Sequence, residues 1–233
     1  MRPGVVLALV SASVCVLGLT PARGTDPLPA RMADTGGGTQ LITALAPAAG
    51  STSGTVTWWD LRDGTWTETG SAPARFGANG LVEGGARVQG TDTTPTGLYG
   101  LPFGFGLRAA PVGTRVGYRP VTAASWWCQD NDSASYNRWT EPLPADCLAS
   151  RSEKLDSYAP QYGYALVIGF NYDRPVRGRG AGIFLHVNGK GATAGCVSVP
   201  EDAMRAILSW ADPAREPHIA IGTADGATAV TRY

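Results

Sequence analysis

The sequence predicts a mainly β domain with one or two short helices. Glycine and proline, 31 and 17 of 233 residues, make up about a fifth of the chain and imply many turns. Short runs of β-branched and aromatic residues recur between those turns, and a single segment near residue 200 stands out with helical apolar spacing. With 43% hydrophobic residues, the chain is long enough to bury one sizeable core.

From the N-terminus, Arg2 is followed by an apolar run from Val5 to Leu19 and then Pro21-Ala22, the order of a secretory signal. The run is shorter than the roughly 20 apolar residues of a membrane span. Residues 1–22 are therefore expected to be a cleaved signal peptide that removes Cys15. The mature chain is expected to lack a membrane span and to reside outside the cytoplasm, secreted or in the cell wall. Residues 23–38, rich in Gly, Pro, Thr and Asp, are expected to be a flexible lead-in, and residues 39–233 a single domain.

Within that domain, Gln40 to Leu45 and Thr55 to Leu61 read as strands, and Asp63-Gly64 joins the second to Thr65–Thr69 as a hairpin. Further strands are expected at Gly97 to Leu101, Arg115 to Arg119, Ala165 to Asn171, Ile183 to Val187 and His218 to Gly222. Ser198-Val-Pro-Glu201 has the form of a capping box, and Met204, Ile207, Leu208 and Ala211 follow on one helical face until Asp212-Pro213. Trp58, Trp59, Trp66, Trp126, Trp127 and Trp139 are expected mostly in the core rather than along a glycan groove.

Charge and histidine count remove whole classes of function. Nineteen basic residues balance nineteen acidic ones, so no field gathers a polyanion and nucleic acid is not an expected partner. The histidines are His186 and His218 alone, too few for a multi-histidine metal centre; neither metal nor cofactor is expected. The Gly178–Gly182 run neither follows a strand nor opens a helix and reads as a turn. Oligomeric state leaves no mark in the sequence.

Removal of the signal leaves Cys128, Cys147 and Cys196. Cys128 and Cys147 flank a polar, loop-like stretch that a disulfide would staple for roughly 3 kcal/mol. Cys196 is then the lone thiol. In Ile183-Phe-Leu-His186 an apolar strand ends at a histidine, a loop of small residues follows, and Cys196 arrives shortly before the expected helix. A helix N-terminus and an imidazole would both ease ionisation of that thiol. Gly195, without a side chain, would let a substrate carbonyl approach the Gly195 and Cys196 amides as an oxyanion hole.

Thr193-Ala194-Gly195-Cys196-Val197, preceded by Gly182-Ile-Phe-Leu-His186, resembles the active-site segment of the YkuD-like L,D-transpeptidases. Thr94–Tyr99, Trp127–Asp130, Tyr136–Arg138 and Leu166–Tyr172 resemble recurring segments of a secreted branch of that family. The resemblance implies a β-sandwich of the L,D-transpeptidase type and acyl transfer on peptidoglycan stem peptides. It makes Cys196 the nucleophile, His186 the proton carrier and Gly195 part of the oxyanion hole. It further implies that the Val187 carbonyl orients His186, that Thr193 braces the loop, and that a carbapenem would acylate Cys196. Asn171 and Tyr172 are candidates for substrate contact. Ala194 stands where many members carry a second histidine, which keeps a silent peptidoglycan-binding domain as an alternative, alongside L,D-carboxypeptidase activity.

Overall fold

A computed structural model of the chain describes Met1 and residues 26–224, so the signal-peptide reading of residues 1–22 lies outside the described residues. The first half of the sheet is built from β1 (Gln40–Ala46), buried along nearly its whole length, β2 (Ser53–Arg62), whose burial alternates, and β3 (Thr65–Arg75), each antiparallel to the next. Asp63 and Gly64 close the β2–β3 hairpin with φ of 49° and 75°. Positive φ at both central residues gives the turn a twist that matches the flanking strands.

The remaining strands are short. They are β4 (Leu81–Glu83), β5 (Thr94–Gly100), β6 (Gly104–Gly106), β7 (Tyr118–Pro120), β8 (Trp126–Cys128), β9 (Arg138–Thr140) and β10 (Glu153–Lys154). After them come β11 (Ala165–Val167), β12 (Phe184–Val187), β13 (Val197–Val199) and β14 (His218–Thr223). Among the described residues, eleven strands form one sheet in the order β4-β5-β14-β1-β2-β3-β13-β12-β11-β6-β7. The strands β10-β8-β9 form a second, small sheet.

The two halves of the large sheet pack on one shared core. Ile42, Val56 and Trp58 from one half share a buried cluster with Leu166, Leu185 and Val197 from the other, which makes the fold the mainly β sandwich that the sequence predicts. Helix α2 (Glu201–Trp210) adds Met204, Ile207 and Leu208 to that cluster, all fully buried. Burial of such side chains stabilises by about 1.5–3 kcal/mol each before entropy is counted. No helix among the described residues is long and apolar enough to cross a membrane.

Four local expectations change. The capping box does not form: Ser198 lies inside β13 and its Oγ donates to Asn188 Oδ1 at 2.8 Å, while Pro200 occupies the N-cap without a side-chain bond. Parallel pairing of β13 with β12 outcompetes the local cap, so a strand separates Cys196 from the helix. The expected strand from Ala165 ends at Val167, because the chain turns through Asn171 at φ 51°. The strand expected at Arg115 begins only at Tyr118. Finally, the stretch read as a flexible lead-in carries the one-turn helix α1 (Leu28–Arg31), and Met32 packs against Leu41, Trp66 and Ala220.

Cys128 and Cys147 form a disulfide that ties the end of β8 to the loop before β10. This small sheet covers the outer face of β12. Trp127 and Phe184 meet edge to face at 4.8 Å, and Tyr162 and Phe184 at 5.6 Å. Of the tryptophans, Trp58, Trp66 and Trp127 are buried, consistent with core positions.

Candidate active site

The site forms where two neighbouring parallel strands leave the sheet. β12 carries His186 near its end, and the loop from Asn188 returns the chain to Cys196 at the start of β13. That loop is pinned to the β3 side. Thr193 N–H donates to the Phe76 carbonyl at 2.8 Å and Ala78 N–H donates to the Thr193 carbonyl at 2.8 Å. Arg75 Nη1 donates to the Gly189 carbonyl at 2.6 Å. These bonds give a run of small residues a fixed path.

Thr193 also ties the loop to itself. Its hydroxyl donates to the Cys196 carbonyl at 2.6 Å and accepts the Gly195 N–H at 3.1 Å. The Gly195 amide is therefore engaged by the Thr193 hydroxyl when no substrate is bound. What the position requires of Gly195 is conformational. Its φ is +132°, and an added Cβ would lie 2.7 Å from Arg87 Nη2 and 2.8 Å from the Thr93 carbonyl. Only glycine adopts that backbone without strain while admitting the arginine.

Cys196 carries a free, buried thiol. Its Sγ accepts the Phe184 N–H at 3.3 Å and donates to the Gly182 carbonyl at 3.4 Å. Burial pushes the thiol up to about 12, with the Glu153 charge adding to the rise and the Phe184 N–H and Arg87 opposing it. Ionisation eased by a helix N-terminus is thus corrected: the strand β13 intervenes, and desolvation of the thiolate prevails.

His186 is buried as well, and burial draws its imidazole down to about 4. Its Nδ1–H donates to the Val187 carbonyl at 2.8 Å. That bond fixes the neutral tautomer with the Nε2 lone pair free. The Tyr162 ring meets the imidazole edge to face at 5.5 Å. At neutral pH the resting pair is a neutral thiol and a neutral imidazole, without a hydrogen bond between them. Both side chains line one cleft, together with Glu153, Tyr162, Lys190 and Thr193.

A second cleft meets Cys196 from the other side, lined by Arg87, Asp92, Gln129, Arg151, Gly182 and, again, Glu153. Glu153, at the start of β10, therefore borders both clefts. Its Oε2 accepts the Tyr162 hydroxyl at 2.8 Å, and burial moves its carboxyl upward. Glu153, Tyr162 and Arg87 were not anticipated from the sequence. They come from distant segments that carry no motif, and only the covering of β12 by the small sheet brings the first two to the thiol.

Asn171 and Tyr172 line neither of these two clefts. Asn171 holds its own turn, with Nδ2 donating to the Val176 and Gly180 carbonyls at 3.0 and 2.8 Å. Tyr172 packs beside Trp127 with the Arg138 guanidinium 4.7 Å over its ring.

The sandwich thus brings a free cysteine and a carbonyl-oriented histidine to one cleft. Residues 51–223 match the YkuD family, the L,D-transpeptidase catalytic domain, and the chain belongs to that family. No curated protein matches the chain. Among solved structures, that of Bdellovibrio bacteriovorus Bd1075 is similar at 15% identity with a TM-score of 0.39, covering 79% of this chain and 48% of the other. The chain thus spans about half the length of that protein.

Proposed function

We propose that the chain is an exported L,D-transpeptidase that joins peptidoglycan stem peptides through a thioester on Cys196. In this reading residues 1–22 are the export signal and residues 39–233 the catalytic domain. The Cys128–Cys147 disulfide, suited to an oxidising compartment, supports export. The observation that carries the reading is the shared cleft of Cys196 and His186, with Val187 holding the imidazole.

The chemistry follows from the neutral pair. As Cys196 Sγ bonds to the carbonyl carbon of an L-to-D peptide junction, its proton passes to His186 Nε2. The Cys196 N–H, the main-chain donor beside the sulfur, stabilises the oxyanion, because the Gly195 N–H is held by Thr193. The intermediate collapses, the carbon–nitrogen bond breaks, and the departing D-amino acid takes the proton from His186. An amine of a second stem then attacks the thioester, gives its proton to His186 and releases the thiolate, which recovers that proton. Water in place of the amine gives L,D-carboxypeptidase activity.

Purified disaccharide-tetrapeptide incubated with the protein, with products read by mass spectrometry, tests the reading. Dimers joined between L and D centres with loss of a D-amino acid are expected from the wild type and absent from Cys196→Ala. Binding of the muropeptide with no product from the wild type would leave a silent binding domain instead.

A further inference from the structure

Arg87 is a buried cation with no ion-pair partner among the described residues. The residue is 5% exposed. Nε donates to the Thr93 carbonyl at 2.8 Å and Nη1 to the Arg179 carbonyl at 3.2 Å, and the group lies 5.7 Å over the Phe170 ring. Among the described residues, Nη2 has no hydrogen-bond acceptor and no carboxylate lies within the 4 Å of an ion pair, although Asp92 and Glu153 border the same cleft. Buried charges are ordinarily paired, since an isolated one forfeits its hydration.

The fold makes room for this group. A Cβ on Gly180 would come within 1.7 Å of Nη1, and one on Gly195 within 2.7 Å of Nη2, so the guanidinium is held between two glycines. One of these glycines directly precedes the nucleophile, and Arg87 and Cys196 line the same cleft. A planar fork held in that position matches a carboxylate, which it would grip more specifically than an ammonium could.

We infer that Arg87 is a specificity-determining residue that binds a carboxylate of the peptide donor beside Cys196. The inference rests on the transpeptidase reading and deepens it. Two donor carboxylates lie close to the scissile bond: that of the terminal D-amino acid, and one on the side chain of the acyl residue when that residue is a carboxylated diamino acid. Either would supply the missing negative charge.

Three tetrapeptide donors separate the sources: the free acid, its terminal amide, and an analogue whose acyl residue lacks the side-chain carboxylate. Acylation of Cys196 is followed by mass spectrometry, with kcat and KM determined for the wild type, Arg87→Gln and Arg87→Lys. In the wild type, one altered donor is expected to lose at least about tenfold in kcat/KM, mainly through KM. Arg87→Gln is expected to use that donor and the free acid equally well, and Arg87→Lys, which keeps the charge without the fork, to fall between. A brace that merely ties loops together would slow all three donors alike. Equal use of the three by the wild type, or wild-type discrimination retained in either variant, overturns the inference and leaves the transpeptidase reading standing. Failure of every donor to acylate wild-type Cys196 overturns both.

Discussion

Burial of His186 makes folding stability depend on acid in a way one substitution can isolate. The imidazole is held near 4 in the folded protein, against 6.5 when free. A histidine with a depressed folded value contributes its full stability above pH 6.5. That stability is lost as pH falls toward 4, because the unfolded chain binds the proton first. Between pH 7 and pH 4.5 the two values give a loss of about 2 kcal/mol from this group alone. Carboxylates such as Asp60 and Asp130, whose folded values are also lowered, add their own loss of stability toward acid pH, and the wild type and the variant share it. The measurement is therefore a difference. Urea unfolding of the wild type and His186→Gln at pH 7 and pH 4.5 should show the variant losing about 2 kcal/mol less. Parallel losses would refute the reasoning and mean that the folded imidazole titrates normally.

The thiol predicts an opposite limb. Because Cys196 is raised to about 12, its alkylation by iodoacetamide should accelerate about tenfold per pH unit from pH 7 to 9.5; a plateau below pH 8 would reveal a preformed thiolate. Thr193→Val removes both bonds that hold Gly195 and Cys196, and cross-linking rate should fall at least about tenfold while Thr193→Ser keeps it. Gly195→Ala should cost about 1–3 kcal/mol in a denaturant melt and abolish acylation, because its Cβ would press on Arg87 and Thr93 from a positive-φ backbone.

What the sequence revealed depended on how local each feature is. Cys196, Thr193 and His186 lie within eleven positions of one another, and a strand followed by a loop of small residues suffices to suggest that they meet. The Asp63-Gly64 hairpin was equally legible, since its turn chemistry is self-contained. Ser198 shows the limit. Its spacing to Glu201 fits a capping box, yet pairing of β13 with β12 claims the backbone and Asn188 claims the hydroxyl. Glu153 and Arg87 sit in a two-residue strand and at the end of a one-turn helix, where no periodicity marks them. The thiol's environment also depends on non-local burial, which opposes ionisation where the sequence pointed to features that ease it.

The central claim is that Cys196 accepts the acyl group with His186 as its base. Acid quench of the protein within seconds of mixing with a tetrapeptide donor, followed by intact mass and peptide mapping, tests it most directly. The account predicts an added mass equal to the donor less its terminal amino acid, located on Cys196, absent in Cys196→Ala and greatly diminished in His186→Gln. An adduct on another residue, or full acylation without His186, would contradict it.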